Sequence, residues 1–263
     1  MRFLLASIAC LFSLSIGAQE VSHAFTLGVG LTNVFDSYLS PLEYAGKELR
    51  LQRETLRPTQ ICNGNVTVQT ILNAHASYGE NQSGNGKMYE GLLNWNVAWL
   101  YKWDINSRFT VLAGPMLDLN GGVIYNKRNS NNPAQAKVYA NADVSAMAYY
   151  HFKLFHRPFR LRYQLAVPVV GVMFSPEYGE SYYEMFELGH GGWHNVCPTT
   201  PFSQPALRHS LFLDFTLINT NLRIGYVGDI QQSAIKQLHS HTYSHALMVG
   251  VIKDFQISKK PIQ

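Results

Sequence analysis

The chain has 263 residues, enough for one large β domain or two small ones. Charged residues make up 14% of it and aromatics 13%, whereas a soluble domain carries about 25% charged residues. The 21 basic and 17 acidic side chains leave a formal charge of +4, too small an excess for a nucleic-acid-binding surface.

At the N-terminus, Met1-Arg2 and the apolar stretch 3–16 precede Gly17-Ala18-Gln19. That order of charged, apolar and small residues reads as a signal peptide over 1–18, cut after Ala18, which leaves 19–263 as one exported domain. Cleavage after Ala24 is the alternative. Lipidation at Cys10 is disfavoured because Ser7-Ile8-Ala9-Cys10 lacks the usual leading leucine. No later run reaches the ~18 apolar residues of a membrane-spanning helix. Cys62 and Cys197 are the two cysteines left, too few for a disulfide scaffold.

Taken in chain order, period-2 alternation predicts strands over 25–35, 44–56, 66–78, 88–103, 109–125, 138–152, 159–173, 207–217, 222–232 and 241–255. In the third, Val66, Val68, Leu72, Ala74, Ala76 and Tyr78 oppose Thr67, Gln69, Asn73, His75 and Ser77. The fourth is sharper: Tyr89, Leu93, Trp95, Val97, Trp99, Tyr101 and Trp103 oppose Glu90, Asn94, Asn96 and Lys102. Val138, Ala140, Ala142, Val144, Ala146, Ala148, Tyr150 and Phe152 oppose Tyr139, Asn141, Asp143, Ser145 and His151 in the sixth. The seventh sets Phe159, Leu161, Tyr163, Leu165, Val167 and Val169 against Arg160, Arg162 and Gln164.

Connections decide what such faces mean. Links 104–107, 153–158 and 218–221 are short, while 79–87, 126–137 and 175–206 are long and rich in Asn, Gly, Ser and Pro; 57–65 is longer than a short-side turn should be. Short turns on one side and long loops on the other predict an all-β, transmembrane, up-and-down antiparallel barrel of about ten strands (roughly 8–12), lipid outside and polar lumen inside. With strands running up and down, Phe25, Tyr101, Trp103, Phe109, Tyr150, Phe152, Phe159, Phe215 and Phe255 gather at the short-turn, periplasmic end as an interfacial girdle. A soluble secreted β-sandwich shares the alternation but explains neither the girdle nor the loop pattern. Cys62 and Cys197 fall at opposite ends, so the topology forbids a disulfide between them.

Phe35-Asp36-Ser37-Tyr38-Leu39-Ser40-Pro41-Leu42, Asn94-Trp95-Asn96, Leu112-Ala113-Gly114 leading to Asp118, Tyr125-Asn126 to Asn131-Asn132-Pro133, and Ser181-Tyr182-Tyr183-Glu184-Met185-Phe186 occur in that order. In this order they resemble a family of uncharacterised outer-membrane proteins of Bacteroidota, over nearly the whole mature chain. The resemblance implies a signal peptide and a β-barrel and supplies no catalytic residue. The C-terminus departs from the barrel habit of ending on an aromatic, since Gln256 to Gln263 follow Phe255.

On the inward phase lie Glu48, Arg50, Glu54, Glu90, Lys102, Asp118, Asp143, Arg160, Arg162, Arg208, Asp214, Arg223 and Asp229. In a narrow barrel these fill the interior as paired networks; the functional alternative is a thin polar pore with Arg160 and Arg162 facing carboxylates. His75 and Ser77 share a face and resemble the His-x-Ser pair of outer-membrane phospholipases and lipid A deacylases, which suggests acyl hydrolysis as an alternative activity. The lumen-facing reading favours a hydrogen-bonding pair instead. No Asp-x-Asp or Asp-x-His pair supports the water-activating chemistry of ten-stranded outer-membrane proteases. His190 and His194 flank glycines that oppose a helical metal site, and His239, His241 and His245 read as interfacial histidines; no metal and no cofactor are expected. The loop 175–206, with Tyr178, Tyr182, Tyr183, Phe186 and Trp193, is the expected contact surface or plug. The partners expected are outer-membrane lipid and small solutes or external ligands, not nucleic acid.

Overall fold

A computed structural model describes residues 19–130, 132–188 and 192–257. The expected signal peptide, His190 and the tail from 258 onward lie outside these residues, as do the side chains of Phe186 and Phe255.

The strands run β1 (Gln19–Asp36), β2 (Tyr44–Pro58), β3 (Val66–Asn81), β4 (Lys87–Asp104), β5 (Phe109–Asn126), the short β6 (Ala134–Ala136), β7 (Tyr139–Leu154) and β8 (Arg157–Phe174). After one turn of helix α1 (Tyr182–Phe186) come the short β9 (Val196–Thr199), then β10 (Ala206–Leu217), β11 (Thr220–Ile235) and β12 (Leu238–Ile257). Each long strand pairs antiparallel with its neighbours, β8 with β10 and β12 with β1, so ten strands close into a barrel with no free long edge. The β-sandwich alternative is excluded, because there is one continuous sheet and not two stacked ones.

Side chains alternate across this wall as the sequence predicts, and their polarity is inverted relative to a soluble protein. Arg50, Arg162 and Arg223 are fully buried, while Leu247 is 70% and Leu93 61% exposed. Outward Phe25, Leu27, Val29 and Leu31 continue the same apolar belt on β1.

At the turn end, Tyr150 stacks on Phe152, Phe152 on Phe159 and Phe159 on Phe215, with centroids 5.5–5.9 Å apart. Tyr101 and Trp103 sit 4.8 Å apart at the same end. This is the predicted aromatic girdle, continuous across three strands.

Phase slips once. Ala142 pairs with Val170 and Asp143 with Pro168, which leaves Val169 as the extra residue of a β-bulge. Val169 and Val170 both face outward in consequence, and Met173, though odd-numbered like the outward Val169, turns into the lumen.

Turns on one end are tight. Phe155-His156 and Ile218-Asn219 each place both residues at positive φ, the signature of a two-residue I′ hairpin. The link 59–65 holds a 3₁₀ turn, Ile61–Gly64, which accounts for its length. Loops at the other end are not uniformly long: β3 runs to Asn81 and β4 starts at Lys87, and β11 and β12 meet in a two-residue turn at Lys236-Gln237. Cys62 is exposed in the turn after β2, Cys197 is buried in β9 at the loop end, and both are free thiols.

Candidate functional site

Inward residues come to rest in tiers. Nearest the turn end, Glu54 on β2 accepts from Arg162 Nη1 at 2.7 Å, from Arg223 Nη1 at 2.5 Å and from Gln69 Nε2 at 2.5 Å. Arg223 also forks onto Asp214 at 2.7 and 2.9 Å, and Arg160 reaches the same carboxylate at 2.8 Å. The guanidiniums of Arg162 and Arg223 lie 5.1 and 5.0 Å from the centroid of the buried Phe212 ring. Beside them an apolar wall of Leu100, Leu112, Met116 and Met147 fills the lumen.

Higher up, Arg208 bridges Asp229 and Asp118 at 3.3 Å each, and Asp118 accepts from Asn94 and Asn96. Arg50 spans Glu48 at 3.3 Å, Asp229 at 3.6 Å and Ser244 at 2.6 Å. Asp143 is buried here, and its Oδ1 meets no donor among the described residues. Lys102, read as part of this network, instead pairs with Asp104 at 3.0 Å on the turn-end rim, because its strand leaves the lumen there.

His75 and Ser77 do face the lumen, but not each other's chemistry. His75 Nε2 sits 3.0 Å from Glu48, whereas Ser77 Oγ turns to Glu90 at 3.5 Å, and Glu90 is held by Thr242 at 2.9 Å. A nucleophile needs its base within hydrogen-bond reach, and these two side chains are each taken by a different carboxylate.

The loop end is covered. Leu39, from the loop after β1, packs inward with Val34, Tyr44, Met88 and Ile124, and Asn126 and Asn129 donate to its carbonyl at 3.5 and 3.2 Å. Lys137 Nζ ties Asp36 at 2.8 Å to Ser240 at 2.7 Å across the mouth.

Over this cover, Ser181 and Glu184 form a capping box that starts α1. Tyr38 donates to the Glu180 carbonyl at 2.8 Å, and Tyr182 donates to Gln135 at 2.9 Å while accepting from the Ala136 amide. Burial beneath the loop pushes the Tyr38 and Tyr182 hydroxyls up, so both stay protonated. Of the predicted contact surface, Tyr178, Tyr183 and Trp193 are exposed, Trp193 at 87%, while Tyr182 is drawn half under the loop as an anchor.

The lumen is nearly full. Cavities of about 40, 20 and 10 Å³ lie between the tiers, each room for at most a few waters. Gln69 and Gln164, which bond reciprocally at 2.9 and 2.6 Å, belong to this filling. Inward parity marks both; strand parity says nothing of Tyr38 or Lys137, which act from loops. Among the described residues no group of three His, Cys, Asp or Glu side chains is placed to hold a metal ion.

Solved structures with a similar course include the outer membrane protease OmpT from Escherichia coli, 5% identical, covering 93% of this chain and 99% of that one, with a TM-score of 0.49. The transport unit of the autotransporter AIDA-I from Escherichia coli is 8% identical, with 95% and 96% covered and a TM-score of 0.41. An outer membrane channel from Pseudomonas putida F1 is 7% identical, with 93% and 98% covered and a TM-score of 0.37. No residue role passes from them to this chain. Comparison with curated proteins gives no match. Residues 7–261 match the family described as "Protein of unknown function (DUF3316)", and the chain belongs to that family.

Proposed function

We propose that this barrel spans a bacterial outer membrane with its lumen sealed, and that it acts through the surface of its long loops. The observation that carries this reading is the inversion of polarity. Soluble monomers rarely expose an apolar patch beyond a few hundred Å², yet leucines and valines ring this barrel while Arg50, Arg162 and Arg223 are buried inside it. Only hydrocarbon outside and a polar interior make both favourable. The signal peptide is the route of export this reading needs, and the motif order is what supports a Bacteroidota origin.

Sealing follows from the paired charges across the lumen, and ligand contact then falls to the exposed Tyr178, Tyr183 and Trp193. The test is conductance in planar bilayers together with a liposome-swelling assay. A sealed barrel gives neither channel events nor solute uptake; stable channels in the unmodified protein contradict the reading.

Small-solute passage is the second reading. It is favoured by a recess of about 210 Å³ at the turn end, lined by Arg160 and Asp214. In that case channels appear in the unmodified protein and their ion selectivity changes in Arg160→Ala.

A further inference from the structure

The lipid-side wall of β2–β5 carries a groove that the fold itself does not require. Two outward rows, read from the strand register, are Leu51, Ala74, Leu93, Gly121 and, above it, Leu49, Ala76, Gly91, Val123. Their small members form the floor of an apolar groove of about 320 Å³.

Glycine weakens a strand unless a turn, a crowded neighbour or an approaching ligand demands it. Gly122 is crowded, since a Cβ there would meet the Gly91 carbonyl oxygen at 2.2 Å; at Gly91 and Gly121 a Cβ would meet nothing within 4 Å. Neither has a positive φ. Neither backbone conformation nor crowding within the chain therefore calls for glycine at these two positions.

The next row toward the loop end changes chemistry: Lys47, Tyr78, Tyr89 and Tyr125 lie side by side. Tyr78 and Tyr89 have centroids 5.2 Å apart, and Lys87 Nζ lies 5.6 Å from the centroid of the Tyr78 ring. Glu80 partly offsets Lys87 at 3.5 Å and also takes the Tyr78 hydroxyl. Lys47 has no ion pair among the described residues, and Lys127 is exposed just above, so the row keeps a net positive charge.

We propose that this groove and the lysine–tyrosine row above it bind one phosphorylated glycolipid of the lipid A class. An acyl chain lies over Ala74, Ala76, Gly91 and Gly121, a phosphate meets Lys47 and Lys87, and the tyrosines face the sugar. The charge complementarity selects a phosphorylated headgroup, and the position of the lysines selects the leaflet beneath the long loops. This rests on the membrane-spanning reading above.

The test is native mass spectrometry of the full chain in detergent with bis-phosphorylated lipid A, its dephosphorylated form, or phosphatidylethanolamine. The expected result is that phosphorylated lipid A is retained at least fivefold better than either comparison lipid. Lys47→Ala and Lys87→Ala each lower retention about fivefold, the effect of one interfacial cation on an anionic lipid. Gly91→Leu and Gly121→Leu, which project into open space, lower retention while the heat-modifiable gel shift of the folded barrel persists. Equal retention of all three lipids, or variants that bind like the unmodified chain, would overturn the proposal alone. A chain that does not insert into vesicles at all overturns the membrane reading as well.

Discussion

Arg162 and Glu54 meet across the full width of the barrel: Nη1 of the arginine lies 2.7 Å from both carboxylate oxygens, and β8 and β2 stand opposite each other in the ring of ten. Both side chains are almost wholly buried, so each depends on the other to offset the cost of leaving water.

Glu54→Ala therefore leaves Arg162 without its carboxylate and Arg223 with Asp214 alone, and costs about 3–5 kcal/mol of stability. The paired replacement Glu54→Leu with Arg162→Met recovers most of it, because no buried charge is stranded on Glu54's partner β8. Urea unfolding of the barrel refolded in lipid vesicles measures both.

Ile218 sits at φ 46 with its side chain 88% exposed, so its β-branched backbone strain is offset by no packing. Ile218→Asn relieves about 1 kcal/mol. The unfolding midpoint in the same assay rises; an unchanged midpoint contradicts the strained turn.

The loop cover responds to pH through Glu180. Burial raises its carboxyl, but the Glu177 amide, the Asn195 side chain and His194 outweigh that and hold it below its ordinary 4.5. A folded value lowered in this way gives stability that is complete above pH 4.5 and is lost as pH falls through the lowered value. Hydrogen exchange over 175–205, corrected for intrinsic rates, accelerates in that acid window. In Asn195→Ala, which removes a 2.9 Å donor, the acceleration begins at higher pH.

The free thiols report the topology. Cys62 is exposed and Cys197 buried, so a maleimide labels Cys62 in the folded barrel and Cys197 only after unfolding. When the loop end faces outward in intact cells, an impermeant reagent labels neither. A Cys62–Cys197 disulfide in the purified chain would break the assignment of ends.

Much of this was legible in the sequence because a strand that divides hydrocarbon from a packed lumen repeats every two residues. The ten strands, the buried charges Glu48, Arg50, Glu54, Glu90, Asp118, Asp143, Arg162 and Asp214, and the girdle from Tyr150 to Phe215 follow from that parity, whereas Lys102 does not keep to it. The bulge at Val169 escaped it, since Val-Val reads alike in either phase. The Lys236-Gln237 turn carries neither glycine nor asparagine, so the extension of β11 and β12 left no local signal. Partners across the lumen escaped too: parity places Glu54 and Arg162 inside but does not say that the shear of the barrel sets them at one height. His75 and Ser77 share a face in sequence, yet their partners come from β2 and β4, which only the register reveals.

Trp95 tests the central claim most directly, because it sits on the outward face of β4 amid the apolar belt, whereas Trp193 stands on the loop. In a variant keeping Trp95 as its only tryptophan, fluorescence in vesicles is predicted to be quenched by lipids brominated deep in the acyl chain and spared by aqueous iodide. Quenching of Trp95 by iodide with no effect of brominated lipid would contradict an outer wall bathed in hydrocarbon.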